Sequence, residues 1–178
     1  MTGNPVGAMP TSEFRIHGVT IVKDVEFQLH PFTDYFIGFE VVPCVREIFG
    51  DKTEEVLRNL KVEFISRWGY MGVNGEDGHL IVSTRYLKQG DETGIYLDVV
   101  HELVHVRQFM EGKELFDEGF EYVERPTELE AYNHAVKEAR RLGLSEEKIF
   151  GYLKTEWMSD EDHRRLGKAL GINPKIKQ

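Results

Sequence analysis

Apolar and polar residues alternate in short stretches of this chain and recur at helical spacing in longer ones. Lys61-Val62-Glu63-Phe64-Ile65-Ser66 alternates as a half-buried strand does, and His79-Leu80-Ile81-Val82-Ser83-Thr84 reads as a second strand. Between them lie Arg67-Trp68-Gly69-Tyr70-Met71-Gly72-Val73 and the turn-rich Asn74-Gly75-Glu76-Asp77-Gly78, so a β-hairpin or meander is expected. Residues 94–110, GIYLDVVHELVHVRQFM, are apolar nearly all round. Their β-branched residues also fit a strand, but the length and the turn signals on both sides favour a helix. Asp91 or Thr93 is placed to cap its start and Gly112 to supply a left-handed residue at its end. One narrow polar stripe runs along it: Asp98, His101, Glu102, His105 and Gln108.

A second helix is expected over 126–142, with Pro126 at its first position, acidic residues in the first turn, Arg140 and Arg141 near the far end and Gly143 beyond it. Weaker patterns suggest a strand or hairpin over 14–29 and helices over 33–49 and 53–60. Near the C-terminus Ser145 caps one helix, with Leu144 and Ile149 as a hydrophobic staple, and Ser159 with Asp162 opens another that ends near Gly171. These helices either wall a cleft or complete the core. The fold class expected is α+β, a small twisted sheet with the 94–110 helix and further helices at both ends, as a single domain over 13–178. Residues 1–12, rich in Gly, Pro and small polar residues, are expected to form a disordered tail rather than a signal peptide.

Polar side chains on a buried helix are costly unless something satisfies them. His101-Glu102-Leu103-Val104-His105 matches HExxH, in which two imidazoles one turn apart reach a single zinc ion and the intervening glutamate works a zinc-activated water. At 3.6 residues per turn, positions i and i+4 project from one face about 6 Å apart, so both rings can reach one cation. Glu102 is then the general base. The competing reading is a hydrogen-bonded histidine cluster without metal.

A catalytic zinc ion takes a third protein ligand and keeps a position open. The HExxHxxGxxH continuation of metzincins is excluded, because Gln108 and Glu111 stand where its glycine and third histidine belong. On the 126–142 helix, Glu128 and Glu130 point about 200° apart, so only one can face the metal. Glu128 shares its stripe with Ala131, Tyr132, Ala135 and Ala139, a face able to pack closely on another helix; Glu130 shares its own with His134, Lys137 and Arg141, which reads as solvated. Glu128 is preferred, Glu130 and then His134 being the alternatives.

An HExxH helix followed by a helix bearing Glu128-Leu129-Glu130-Ala131 resembles the gluzincin clan of zinc metallopeptidases, and among them the small members with Glu-x-x-Ala-Asp or Glu-x-x-Ala-Asn signatures. The resemblance covers roughly residues 60–142 and implies a zincin-like fold, a peptidase activity, one zinc ion and Glu128 as its third ligand. It departs at Tyr132, where those families place an Asp or Asn that supports the site; Asp98 is a candidate substitute. It also implies an edge strand above the zinc that pairs with an extended substrate, a role that the Gly69 and Gly72 segment fits. Tyr122, Tyr132 and His134 are the candidates for oxyanion stabilisation.

With 40% hydrophobic residues in 178, the chain can bury a core of its own. A net charge of −9 argues against nucleic acid as a partner, no apolar run approaches a membrane span, and Cys44 as the only cysteine excludes an internal disulfide. A cytoplasmic protein acting on a peptide or protein substrate is expected. The alternative is a zinc-binding regulatory or partner-binding module with little turnover. His17, His30, His79 and His163 lack ligand spacing and read as surface or satisfied core residues, and Trp157 and Met158 as helix-packing residues.

Overall fold

A computed structural model describes residues 12–67 and 69–172, so Trp68 and all but Ser12 of the expected tail lie outside the described residues. The fold is mixed α+β with two small sheets. Strands β1 (Glu13–Ile16) and β2 (Val19–Val22) form an antiparallel hairpin, which β4 (Phe36–Ile37) extends. Its two-residue turn, His17 and Gly18, takes φ values of 49° and 86°, the left-handed geometry whose twist suits adjacent strands. The second sheet runs β3 (Leu29–Pro31), β5 (Lys61–Ile65), β7 (Leu80–Ser83), β6 (Met71–Val73), with β5 and β7 parallel and the other pairs antiparallel.

This order corrects the meander. β6 and β7 are the expected hairpin, but β5 pairs with β7, leaving β6 at the sheet edge. The expected 33–49 helix is also broken: α1 (Phe32–Tyr35) gives way to β4, a 3-10 turn (Phe39–Val41) and α2 (Pro43–Phe49). The causes are local. Gly38 sits at φ 91°, which stops a right-handed helix, and Pro43 starts a new one at its first turn. α3 (Thr53–Asn59) lies where expected, whereas the strand read over 79–84 ends at Ser83, whose Oγ accepts Tyr86 N–H (3.4 Å) and opens α4 (Thr84–Gln89).

The central element is α5 (Glu92–Met110), with Ile95, Leu97, Val99, Val100, Leu103 and Val104 all inaccessible to solvent. It packs against β6, α2 and, most extensively, α6 (Pro126–Arg141). Buried Ala131, Ala135 and Ala139 carry no bulk to hold the two helices apart. Asp91 caps α5 through Gly94 N–H (2.8 Å). Gly112, at φ 73°, ends it: the Lys113 N–H reaches back to Gln108 O (3.0 Å) and the Gly112 N–H to Phe109 O (2.9 Å). Gly143 ends α6 in the same way. α7 (Glu146–Tyr152) and α8 (Asp160–Ala169) follow, each capped by the expected serine. Among the described residues no helix is long and apolar enough to cross a membrane.

Candidate metal centre

The α5–α6 contact brings three buried ligand atoms together. His101 Nε2 and His105 Nε2 lie 3.0 Å apart, and Glu128 Oε2 lies 3.3 Å from the first and 3.5 Å from the second. Tetrahedral ligands at 2.0–2.1 Å from an ion stand about 3.4 Å from one another. The triangle therefore has the size of one face of such a shell, and the group could hold a metal ion. Without a cation the arrangement is poorly satisfied. Two imidazole nitrogens face each other and a carboxylate, and His101 Nδ1 and Glu128 Oε2 are buried without a hydrogen-bond partner.

The electrostatics agree with an electron-rich pocket. Burial pushes the Glu128 carboxyl up, but the facing imidazoles outweigh it and hold the group below the usual carboxylate range. Burial lowers His101, whereas at His105 the opposing pull of Glu128 and Glu102 prevails. Glu102, beside them on the same cavity wall, is raised to about 8 by burial, against the pull of His105, and its Oε2 is also buried without a partner.

Gln108 connects two of the three ligands. Fully buried, it accepts from His105 Nδ1–H with Oε1 (2.7 Å) and donates from Nε2 to the Thr127 carbonyl (3.0 Å) and Glu130 (2.7 Å). The first bond fixes the tautomer that leaves His105 Nε2 facing Glu128; the second holds α6 one residue before Glu128. The face of Glu130 is solvated at Lys137 and Arg141, as expected, but Glu130 itself is half-buried and paired with Arg107 (2.5 Å) and Lys113 (3.1 Å), because the C-terminal end of α5 passes beside it. The stripe showed Gln108 as polar on a buried helix, the one available signal; its role depends on α6.

Asp98 does not take the place of the missing Asp or Asn. Its oxygens are occupied by the hydroxyls of Tyr86 (2.5 Å) and Tyr152 (2.8 Å), and burial raises its carboxyl to about 6 in spite of them. Tyr132 packs its ring edge-on against His101, with centroids 4.3 Å apart, and its hydroxyl lies 2.9 Å from that of Tyr122. His134 does not line the cavity, and its alternative as a ligand is not realised: its Nδ1 is buried without a partner away from the triad. His17, His30, His79 and His163 stand apart from the triad, His163 bonded to Phe150 O (2.7 Å) and His79 to Asp77 (2.5 Å).

The triad and Glu102 open onto a cavity of about 830 Å³. β6 supplies one side through Met71, with Tyr70 just before it; Arg125, Tyr122 and Tyr132 supply another. Lys148, Tyr152, Lys154 and Trp157 line it too, so the C-terminal helical region walls the cleft as well as completing the core through Ile149, Leu153 and Leu166. Trp157 is not a packing residue: it is 59% exposed and stands edge-on to Tyr122 at the cavity wall. Comparison of the chain with protein-family models, curated proteins and solved structures finds no match, and the site is read from its own chemistry.

Proposed function

We propose that the chain is a zinc-dependent peptidase of gluzincin type, with His101, His105 and Glu128 holding one zinc ion and Glu102 as general base. The observation that carries the reading is a buried glutamate oxygen without a partner, Glu102 Oε2, beside a three-ligand face of tetrahedral size. A purely structural zinc site closes with a fourth protein ligand and has no use for such a base. Two nitrogens and an oxygen suit zinc, which when bound would supply Lewis acidity to a substrate carbonyl and to water.

The chain's own residues supply the rest. Glu102 Oε2 receives the proton of the attacking water and returns it to the leaving amine. In the Tyr122–Tyr132 pair only one hydroxyl can donate to the other, so the acceptor keeps its own proton for an oxyanion in the cavity. Edge strand β6, antiparallel to β7 and flanking the cavity, has no second strand partner among the described residues and so can offer its other side to an extended peptide, the arrangement expected of a zincin.

The test is Glu102→Gln, nearly isosteric and unable to take the proton. Metal content by elemental analysis should stay at one zinc per chain, while cleavage of a broad peptide pool, followed by mass spectrometry, should vanish. Equal cleavage by both proteins removes Glu102 from the reaction. Bound zinc with no cleavage by either leaves the partner-binding module as the reading.

A further inference from the structure

We propose that the cavity carries a carboxylate-binding subsite at Arg125, so that the substrate presents an anionic group within the cavity onto which the ligand triad opens. This rests on the peptidase reading and narrows its substrate class. Arg125 stands at the N-cap of α6, three residues before Glu128, half-buried in the cavity wall. Its Nε donates to the Asp117 carbonyl (3.1 Å), and its guanidinium carbon lies 6.0 Å from the centre of the Tyr122 ring. That anchor fixes the guanidinium plane without neutralising it.

Among the described residues neither Nη nitrogen has a protein partner, and no carboxylate pairs with Arg125. The contrast is with Arg107, Arg140, Arg141 and Arg165, which all hold carboxylates. Acidic residues outnumber basic ones 31 to 22, so a half-buried arginine left without one is not explained by a shortage of acids. Of the cavity's own acids, Asp91 caps α5, Asp98 accepts from two tyrosines and Glu128 faces the histidines, while Glu102 has a buried Oε2 without a partner and does not pair with Arg125.

With Nε occupied, Nη1 and Nη2 remain as an end-on fork, the geometry that grips a carboxylate through two parallel bonds. Lys148 lines the same cavity, is exposed and has no ion-pair partner among the described residues, which adds positive potential there. Lys154 is already held by Asp160 and the Met158 carbonyl. Arg125 and His101 line the same cavity, with Tyr122 and Tyr132 between them, so a carboxylate seated on the fork belongs to a substrate that also reaches the triad. It is either an acidic side chain or the peptide's C-terminal carboxylate.

Matched peptides test both sources on zinc-loaded full-length protein. One set exchanges Glu for Gln along an end-blocked sequence; the other compares free-acid with amidated C-termini. Wild type should favour the carboxylate member of one set roughly 10- to 100-fold in kcat/KM, the range of a charge-assisted bond, and the responding set identifies the source. Arg125→Met should collapse that ratio, Arg125→Lys should restore part of it, and Arg125→Glu should turn the preference toward lysine-bearing peptides. A ratio unchanged in Arg125→Met, or absent in wild type, overturns the subsite. Binding to zinc-loaded Glu102→Gln, read by tryptophan fluorescence, separates the two readings: Arg125-dependent binding of carboxylate peptides without any cleavage by wild type sustains the subsite and overturns the peptidase.

Discussion

Helix α6 buries two glutamates against α5, and their surroundings differ. Glu138 is satisfied within the protein: Tyr96 donates to it (2.6 Å) and Arg141 grips both its oxygens (2.7 Å each). Burial would raise its carboxyl, and these donors hold it below the usual range instead. Glu128 faces two imidazoles at 3.3 and 3.5 Å, its Oε2 has no hydrogen-bond partner, and further buried atoms nearby lack partners as well. The first cluster is complete without a ligand and ties α5, α6 and neighbouring α2 together; the second keeps ligand capacity that a metal ion could fill. Burial and charge are shared by both, so neither marks a functional site. What distinguishes the Glu128 cluster is its unmet hydrogen-bonding and ligand capacity, the feature on which the proposal rests.

The sharpest way to break this comparison is Glu128→Ala. Losing one of three ligands should weaken zinc binding by roughly 100-fold or more, while Glu130→Ala, which removes no ligand but a distal partner of Gln108, Arg107 and Lys113, should cost about tenfold or less. Competition against a chelator of known affinity decides it, and the reverse order would move the third ligand to Glu130. Gln108→Leu should come next, with a loss of about 10- to 100-fold in zinc affinity, since His105 loses its Nδ1–H acceptor and Thr127 its donor.

Glu138→Ala should behave in the opposite manner, costing about 2 kcal/mol of unfolding free energy with zinc affinity kept within about threefold. Because the folded-state carboxyl sits below its unfolded value of about 4.3, its contribution is full above that pH and is lost as pH falls through the folded value. Denaturant titrations from pH 6 to 3 should therefore bring wild type and Glu138→Ala closer together. Smallest of all is the effect expected at Cys44, which lies beside Glu138 and is pushed up to about 12 by burial and then by that carboxylate. Its thiol should resist alkylation at pH 8 in the folded protein and react on unfolding; rapid reaction in the native state would show the Glu138 cluster to be open.

Much of the site was legible because its signals are local. The i,i+4 histidines, the glutamate between them, the Asp91 cap and the Gly112 and Gly143 stops depend on helix geometry alone, and α5 and α6 form where those signals put them. The choice of Glu128 over Glu130 was legible for a related reason: the alanine stripe shows which face approaches another helix. The 33–49 helix failed because Gly38 and Pro43 interrupt a pattern whose apolar residues serve several short elements. The meander failed because alternation identifies a strand without identifying its neighbour.

By itself, then, the sequence determined what a few consecutive turns of backbone can determine: a buried helix with a polar stripe, two imidazoles on one side of it, a glutamate between them, and a second helix able to approach closely. Tertiary structure alone decided which distant groups fill the remaining valences. It turned Gln108 from a stripe residue into the tie between His105 and α6, gave Asp98 to two tyrosines, paired Glu130 with Arg107, and among the described residues left Arg125 without a carboxylate and Glu102 Oε2 without a partner in one cavity. The physical reason is range. Helical periodicity and capping act within a few residues, whereas hydrogen-bond and charge satisfaction in a buried site is settled by side chains far apart in the chain that meet only when the core is packed.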